Sequence, residues 1–206
     1  MNMLSAGNHM DTGYRLILAS NSPRRRELLA GLDMDFQVRV IDGIDESYPE
    51  GIAVEQIPLY ISRKKADAYR TSMADDELVI TADTIVAADN TILGKPAGRD
   101  DAAAMLRLLS GRKHQVVTGV TFTTTDRQHS FSVSTDVWFA PMSEEDISYY
   151  VDRYRPFDKA GAYGIQEWIG YIGVERIEGS YFNVVGLPVQ RLYTELKKFC
   201  RNTDSK

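Results

Sequence analysis

The stretch "LILASNSPRRRELLAGL", residues 16–32, passes from an apolar run with strand character into a helix. Ser22 occupies the N-cap position, Pro23 the first helical position, and Gly31 the close of the helix. Three consecutive arginines, 24–26, add positive charge at the helix end where the backbone dipole is already positive. Hydroxyls, free backbone N–H groups and guanidinium groups converge at this elbow, which predicts an anion site.

A simpler interpretation of the elbow is also open at this point. Ser22 could do no more than cap the helix, and the arginines could form a solvated face. Neither a Walker motif (G-x-x-x-x-G-K-[ST]) nor G-x-G-x-x-G occurs in the sequence, so the common phosphate loops do not account for the arginines. The residues alone do not decide between an anion site and a simple helix cap with solvated arginines.

Strand-like and helix-like segments alternate outward from the elbow. The region 77–94 predicts two strands, with a break at Ala82-Asp83-Thr84 and a hairpin turn at 88–90. The Ser143-x-x-Asp146 spacing predicts a capping box at the start of a helix. The Gly-rich segment 158–188 predicts short strands between its glycines.

These segments predict a single α/β domain with a mixed, twisted sheet, because strands pair as hairpins as well as alternating with helices. An amphipathic helix at 188–200 closes the pattern. We expect the domain to cover residues 14–198, preceded by a leader at 1–13 and followed by a tail at 199–206.

Composition and charge exclude several classes of protein. The 206 residues are 43% hydrophobic and 26% charged, which suits one globular domain with an ample core. The net charge of −5 and the pI of about 5.3 oppose nucleic-acid binding, so an anion site requires a local concentration of Lys and Arg. The single cysteine, Cys200, excludes an internal disulfide and a cysteine zinc cage. Without a membrane-spanning run or signal-peptide pattern, we expect a cytoplasmic protein with no membrane partner.

Acidic residues in two places could hold a metal or activate water. Asp83 lies inside the apolar run "VITADTIV" and is followed by the hydroxyl of Thr84. Burying a carboxylate there is costly unless it binds a partner such as Mg²⁺ or water. The alternative is a turn aspartate satisfied by backbone N–H groups. Asp45 and Glu46, in the loop "GIDESY", could supply further oxygen ligands or could simply be solvated.

Three lysines stand next to unusual neighbours. Lys65 lies in a predicted helix, Lys95 in "LGKP" and Lys159 in "FDKAGAYGIQ". Taken singly, each predicts only a surface lysine. Together with the elbow and the embedded Asp83, they fit a polyphosphate bound with a divalent metal. The three histidines lack metal-ligand spacing, and no G-x-S-x-G nucleophile motif occurs.

Six motifs of this chain stand in a characteristic order: "LILASNSPRRRELL", "ADTIV", "LGKP", "LSGRKHQVVTGV", "DKAGAYGIQ" and "NVVGLP". This order resembles the Maf family of nucleoside triphosphate pyrophosphatases, also called septum formation inhibitor-like proteins. The resemblance implies an elongated, two-lobed fold of the inosine-triphosphate-pyrophosphatase type with a central cleft. It also implies hydrolysis of a nucleoside triphosphate to the monophosphate and pyrophosphate, with Mg²⁺ or Mn²⁺ as cofactor. A homodimer is a further expectation, since such folds commonly dimerise.

The resemblance implies roles for the residues at matching positions. Asp83 matches the catalytic aspartate, with Lys65 and Glu46 beside it, and Glu46 and Asp83 would hold the metal. Gln166, together with Thr84 and Arg24, is similar to the branch that acts on dTTP and UTP, with modified pyrimidine nucleotides as further candidates. The other substrate-binding positions implied are Ser20, Ser22, Arg25, Lys95 and Lys159.

The main alternative is a nucleotide-binding regulatory protein of cell division without significant turnover. Four intact residues together argue against it, because a sensor of nucleotides does not need a carboxylate that activates water: Glu46, Asp83, Lys65 and Lys95.

Overall fold

A computed structural model of the chain describes residues 10–89 and 91–201. Its sheet runs in the order β2-β1-β3-β5-β6-β7, and β4 pairs with β3. The strands are β1 (Arg15–Leu18), β2 (Phe36–Val38), β3 (Glu77–Ala88), β4 (Thr91–Leu93), β5 (Lys113–Thr123), β6 (Gln128–Phe139) and β7 (Val174–Glu178). The α-helices are α1 (Pro23–Ala30), α2 (Ile57–Asp67), α3 (Arg99–Leu109), α4 (Glu144–Tyr154), α5 (Trp168–Gly173), α6 (Tyr181–Val185) and α7 (Val189–Arg201), with 3-10 helices at Val54–Gln56 and Ala160–Ala162.

The sheet is mixed, as the sequence predicted. β1 pairs in parallel with both β2 and β3, whereas β3, β5, β6 and β7 pair antiparallel. Leu16, Ile17 and Leu18 of β1 are all buried, because a central parallel strand is covered on both faces. The helix α1 provides the crossover connection between β1 and β2, so the elbow at residues 19–22 lies at the carboxyl end of β1.

The predicted break at Ala82-Asp83-Thr84 is wrong. β3 is continuous from Glu77 to Ala88, and Asp83 pairs with Gly119 in the middle of its ladder with β5. The strand continues because the Asp83 carboxylate finds a cationic partner outside the sheet, described below, and therefore does not need a turn. β3 and β4 pair as a hairpin; residue 90 of the predicted turn lies outside the described residues.

The two largest of the four apolar clusters among the described residues form the cores of two lobes. One contains Leu29 of α1 and Leu192 and Leu196 of α7, packed on the first half of β3. The other contains Leu106 of α3 and Tyr150 of α4, with residues from the second half of β3. Because β3 and β5 contribute to both clusters, the lobes share one sheet, and the polar middle of β3 lies between them.

The Gly-rich segment 158–188 differs from its prediction. It forms one short strand, β7, and the helices α5 and α6 rather than several strands. α7 continues to Arg201, into the segment assigned to the tail, while residues 1–9 and 202–206 lie outside the described residues. Within 10–89 and 91–201, none of the helices has the length and apolar character needed to cross a bilayer.

Candidate active site

A cleft of about 690 Å³ lies between the lobes. Its walls come from the β1–α1 elbow, the loop at 40–48, the middle of β3, and the segments at 158–166 and 184–186. The structure brings all the site residues predicted from the sequence to this cleft: Ser20, Ser22, Arg24, Arg25, Glu46, Lys65, Asp83, Thr84, Lys95, Lys159 and Gln166. Asp45, the other candidate of the acidic loop, does not line the cleft and instead pairs with Lys64 at 2.6 Å.

The elbow contains the helix cap predicted at Ser22, and two of its backbone N–H groups are bonded to serine hydroxyls. Ser22 has extended backbone and caps α1, with its Oγ accepting from the backbone N–H of Arg25 at 3.4 Å. Ser20 is buried, and its Oγ accepts from the backbone N–H of Ser22 at 3.2 Å. Arg24 faces the cleft and pairs with Asp158 at 3.0 Å, whereas Arg26 is exposed and does not line the cleft. The consecutive arginines therefore occupy different environments.

Arg25 is committed to contacts within the protein. Its Nε donates to the carbonyl oxygen of Gly186, its Nη1 to that of Ala82, both at 2.9 Å, and its Nη2 to Thr84 Oγ1 at 3.0 Å. Burial lowers the pKa of Arg25, with the nearby charge of Asp83 opposing this effect. Arg25 thus joins α1, β3 and the loop after α6, and it adds fixed positive charge to the cleft.

Asp83, Lys65 and Glu46 form the charged centre of the cleft. The Nζ of Lys65, on α2, lies 2.8 Å from Asp83 Oδ1 and 2.9 Å from Glu46 Oε1. Asp83 and Lys65 are nearly buried, with side-chain exposures of 11% and 15%, while Glu46 is 52% exposed at the mouth of the cleft. One ammonium group therefore holds two carboxylates close together in a partly dehydrated place.

Lys95 acts on this centre through its charge. It is exposed on the segment after β4, at the margin of the cleft. Burial raises the pKa of Glu46, but the hydrogen bond and charge of Lys65 oppose it, and further positive charge comes from Lys95. These cations prevail, so the pKa of Glu46 lies below its usual value and the side chain is a carboxylate at neutral pH.

Lys159 is buried and lies between two carboxylates. Its Nζ is 2.7 Å from Asp158 Oδ1 and 3.2 Å from Glu167 Oε1. Glu167 also accepts a hydrogen bond from the hydroxyl of Tyr150. Burial is the main cause that raises the pKa of Tyr150, and the hydrogen bond to Glu167 raises it further. Burial raises the pKa of Asp158, but hydrogen bonds from Lys159 and Arg24 outweigh it and lower that pKa overall.

Thr84 and Gln166 lie on the wall of the cleft beyond the charged centre. Thr84 Oγ1 accepts from Arg25 and lies 2.9 Å from Thr118 Oγ1, within a network that fixes its position. The side-chain oxygen of Gln166 is buried and has no hydrogen-bond partner in the protein. A buried amide oxygen without a partner is costly, and Gln166 itself lines the cleft.

Sequence reasoning missed Asp158, Glu167 and Thr118. Asp158 precedes Lys159 in the motif "DKAGAYGIQ", so an acidic residue beside a predicted phosphate-binding lysine was the available signal. Glu167 follows Gln166 directly and gave no comparable signal, and Thr118 is one of several threonines in β5.

The donor set of the cleft suits a hard divalent cation that is completed by a ligand. The described residues contain no cluster of three or more His, Cys, Asp or Glu side chains able to hold a metal. Glu46 and Asp83 offer two carboxylates close to one point, and Mg²⁺ typically uses one or two carboxylates together with phosphate oxygens and water. These two residues therefore fit a cation that arrives with a phosphorylated ligand.

A strand carboxylate surrounded by lysines and arginines, in a cleft between two lobes, defines a protein that handles phosphorylated small molecules. The Maf-like protein family matches residues 15–199, and the chain belongs to this family. A dTTP/UTP pyrophosphatase of Parabacteroides distasonis is 62% identical over 186 residues, covering 90% of this chain and 96% of the relative. A dTTP/UTP pyrophosphatase of Porphyromonas gingivalis is 57% identical over 188 residues, covering 90% of this chain and 94% of the relative.

Among solved structures, a nucleoside-triphosphatase, also named dITP/XTP pyrophosphatase, from Mycobacterium abscessus overlays with a TM-score of 0.43. The sequence identity in that overlay is 14%, and it covers 93% of this chain and 98% of the other.

Proposed function

We propose that this protein hydrolyses dTTP and UTP to the corresponding monophosphate and pyrophosphate. One observation carries the proposal: Asp83, the embedded carboxylate of β3, lies in a cleft that also presents Arg24, Lys65, Lys95 and Lys159. Relatives that share 57% to 62% of their residues with this chain are named dTTP/UTP pyrophosphatases, which supports the same substrates here.

The cations of the cleft bind and neutralise the triphosphate. The negative charge on the phosphate oxygens repels water from the α-phosphorus, and positive side chains fixed around those oxygens lower this barrier. Arg24, Lys65, Lys95 and Lys159 contact the phosphates, and the hydroxyls of Ser20 and Ser22 lie at the same wall. Arg25 contributes its charge and the position of α1, since its guanidinium nitrogens already bind the protein.

The chemical step requires a base for the attacking water. The water oxygen forms a bond to the α-phosphorus, the bond to the bridging oxygen breaks, and its electron pair leaves with pyrophosphate. Asp83 accepts the proton that the water loses, and Lys65, 2.8 Å away, fixes the position of the carboxylate. Glu46 and Asp83 would hold Mg²⁺ or Mn²⁺, which supplies further charge neutralisation at the phosphates when bound.

Gln166 and Thr84 select the base. Gln166 lines the cleft, and its side-chain amide can accept the N3–H of uracil or thymine through its oxygen and donate to the O4 atom through its NH₂ group. Cytosine has no proton at N3, so the same oxygen would face a lone pair. Rejecting a base that leaves a buried polar group unpaired gives strong discrimination.

The experiment that tests the proposal is product analysis by ion-exchange chromatography, with Mg²⁺ and then Mn²⁺. The substrates are all common ribo- and deoxyribonucleoside triphosphates together with 5-methyl-UTP and pseudouridine triphosphate. We expect monophosphate and pyrophosphate, formed fastest from dTTP and UTP. Asp83→Asn should retain nucleotide binding and lose turnover by about 100-fold or more. Release of inorganic phosphate, or full turnover by folded Asp83→Asn, would contradict the mechanism.

A further inference from the structure

We propose that Asp158 is a built-in counter-ion that occupies the phosphate-binding place of Arg24 and Lys159 and gives way to the triphosphate. This inference deepens the proposed function and rests on it for the identity of the substrate. In this role, Asp158 makes the affinity of the protein for a ligand depend on the charge of that ligand.

The contacts of Asp158 cross the cleft from one lobe to the other. Its Oδ2 accepts from Arg24 on α1 at 3.0 Å, and its Oδ1 accepts from Lys159 at 2.7 Å. Arg24 and Asp158 are 134 residues apart in the chain, and both line the cleft. One carboxylate therefore links two cations of different lobes, as a phosphate group with two free oxygens would do.

Asp158 is free to leave this place, whereas the other carboxylate on Lys159 is not. The side chain of Asp158 is 59% exposed and lies in the turn between α4 and the 3-10 helix at Ala160–Ala162. Glu167 is 21% exposed and is also held by the hydroxyl of Tyr150. When a phosphate displaces Asp158 into water, Lys159 keeps its bond to Glu167, so its ammonium group stays in position.

The need to displace Asp158 sets a lower limit on the negative charge that a ligand must bring to Arg24 and Lys159. A group that displaces Asp158 has to neutralise Arg24 and Lys159 at least as well as the carboxylate does. A triphosphate with its several charges meets that demand more easily than a monophosphate. After the reaction, the returning carboxylate competes with the weaker-binding products and favours their release. Asp158 therefore discriminates against products as well as against nucleotides with fewer phosphates.

The test measures binding of inorganic pyrophosphate and dTMP by calorimetry, with wild-type protein, Asp158→Asn and Asp158→Ser. The matched control is Asp152→Asn, because Asp152 is 56% exposed, pairs with Arg99 at 2.6 Å and lies outside the cleft. We expect pyrophosphate to bind more tightly to both Asp158 variants, by up to about fivefold, the upper end of the range for removal of one competing exposed ion pair. The control should bind as wild type does, and Asp158→Asn should show a lower KM for dTTP with stronger inhibition by dTMP.

Unchanged or weaker pyrophosphate binding to the folded Asp158 variants would overturn the proposal and would indicate that Asp158 orients Arg24 for the ligand. An equal gain in the Asp152→Asn control would overturn it as well, because a general effect of net charge would then explain the result. The calorimetry needs no turnover. A protein that fails to hydrolyse dTTP therefore refutes the proposed function while the role of Asp158 is still measured.

Discussion

Gly119 provides a test of how the active-site geometry depends on the packing of α2 against the sheet. It pairs with Asp83 in the β3–β5 ladder, and the start of α2 lies directly over it. A Cβ atom at position 119 would lie 2.4 Å from the backbone nitrogen of Leu59 and 2.4 Å from the carbonyl carbon and oxygen of Pro58. These are backbone atoms, so no side-chain rotation can relieve the overlap.

The size of the effect follows from this distance. Ordinary contacts begin at 3.4 Å, so in Gly119→Ala the start of α2 has to retreat by about 1 Å, the difference between 3.4 and 2.4 Å. Overpacking of this kind costs about 3 kcal/mol when the neighbour is rigid. For a chain of this length 1 kcal/mol corresponds to about 2–4 °C, so we expect Tm to fall by about 6–12 °C.

Activity should fall as well, because α2 also carries Lys65, which lies 2.8 Å from the Asp83 carboxylate. A displacement of about 1 Å at a catalytic constellation can reduce turnover about 100-fold. Thermal unfolding followed by circular dichroism and kcat for dTTP measure the two effects. Gly31→Ala is the control: its φ is −65° and its added Cβ would make only ordinary contacts at 3.5 and 3.6 Å. A Gly119→Ala protein with wild-type Tm and kcat would refute the reasoning.

Three further predictions concern single side chains. Lys65→Met leaves Glu46 and Asp83 without their shared cation, so kcat should fall about 100-fold or more. Mn²⁺ should bind more tightly to this variant, as measured by electron paramagnetic resonance, and weaker binding would exclude the two carboxylates as metal ligands. Gln166→Ala should abolish the preference for UTP over CTP in kcat/KM, and an unchanged ranking would reject its role in base selection. Burial lowers the pKa of His114 from 6.5 to about 4, so between these values the unfolded chain binds a proton that the folded protein does not. The free energy of unfolding therefore falls as the pH drops through this window, by at most about 1.4 kcal/mol per pH unit, and His114→Gln should give a shallower slope of Tm against pH.

Local signals in the sequence were sufficient for features that depend on neighbouring residues. The Ser22 cap and Pro23 at the start of α1 are confirmed, as is the capping box of Ser143 and Asp146 on α4. Each of these features is a hydrogen bond or a backbone preference within one helical turn. The mixed sheet was predicted correctly as well, because hairpins and helical crossovers can be recognised from the order of neighbouring segments.

Features that depend on contacts between residues far apart in the chain could not be predicted from the sequence. The break predicted at Asp83 assumed that a carboxylate inside an apolar run has to reach a turn. Lys65, the cation that permits a continuous strand, lies on another element, 18 residues earlier in the chain. The contact of Arg25 with Gly186 spans 161 residues, so the sequence could indicate a charged elbow but not which arginine faces the ligand.

The elbow shows why consecutive arginines are tolerated at the positive end of a helix. Arg26 is exposed to water, which screens its charge. Arg25 has two carbonyl oxygens and a hydroxyl as partners, so its guanidinium is satisfied within the protein although burial lowers its pKa. Arg24 lines the cleft as Arg25 does, and there its charge is balanced by Asp158. This ion pair balances the charge of the elbow when no ligand is bound. Because the carboxylate of Asp158 is exposed, an incoming phosphate can compete with it for Arg24.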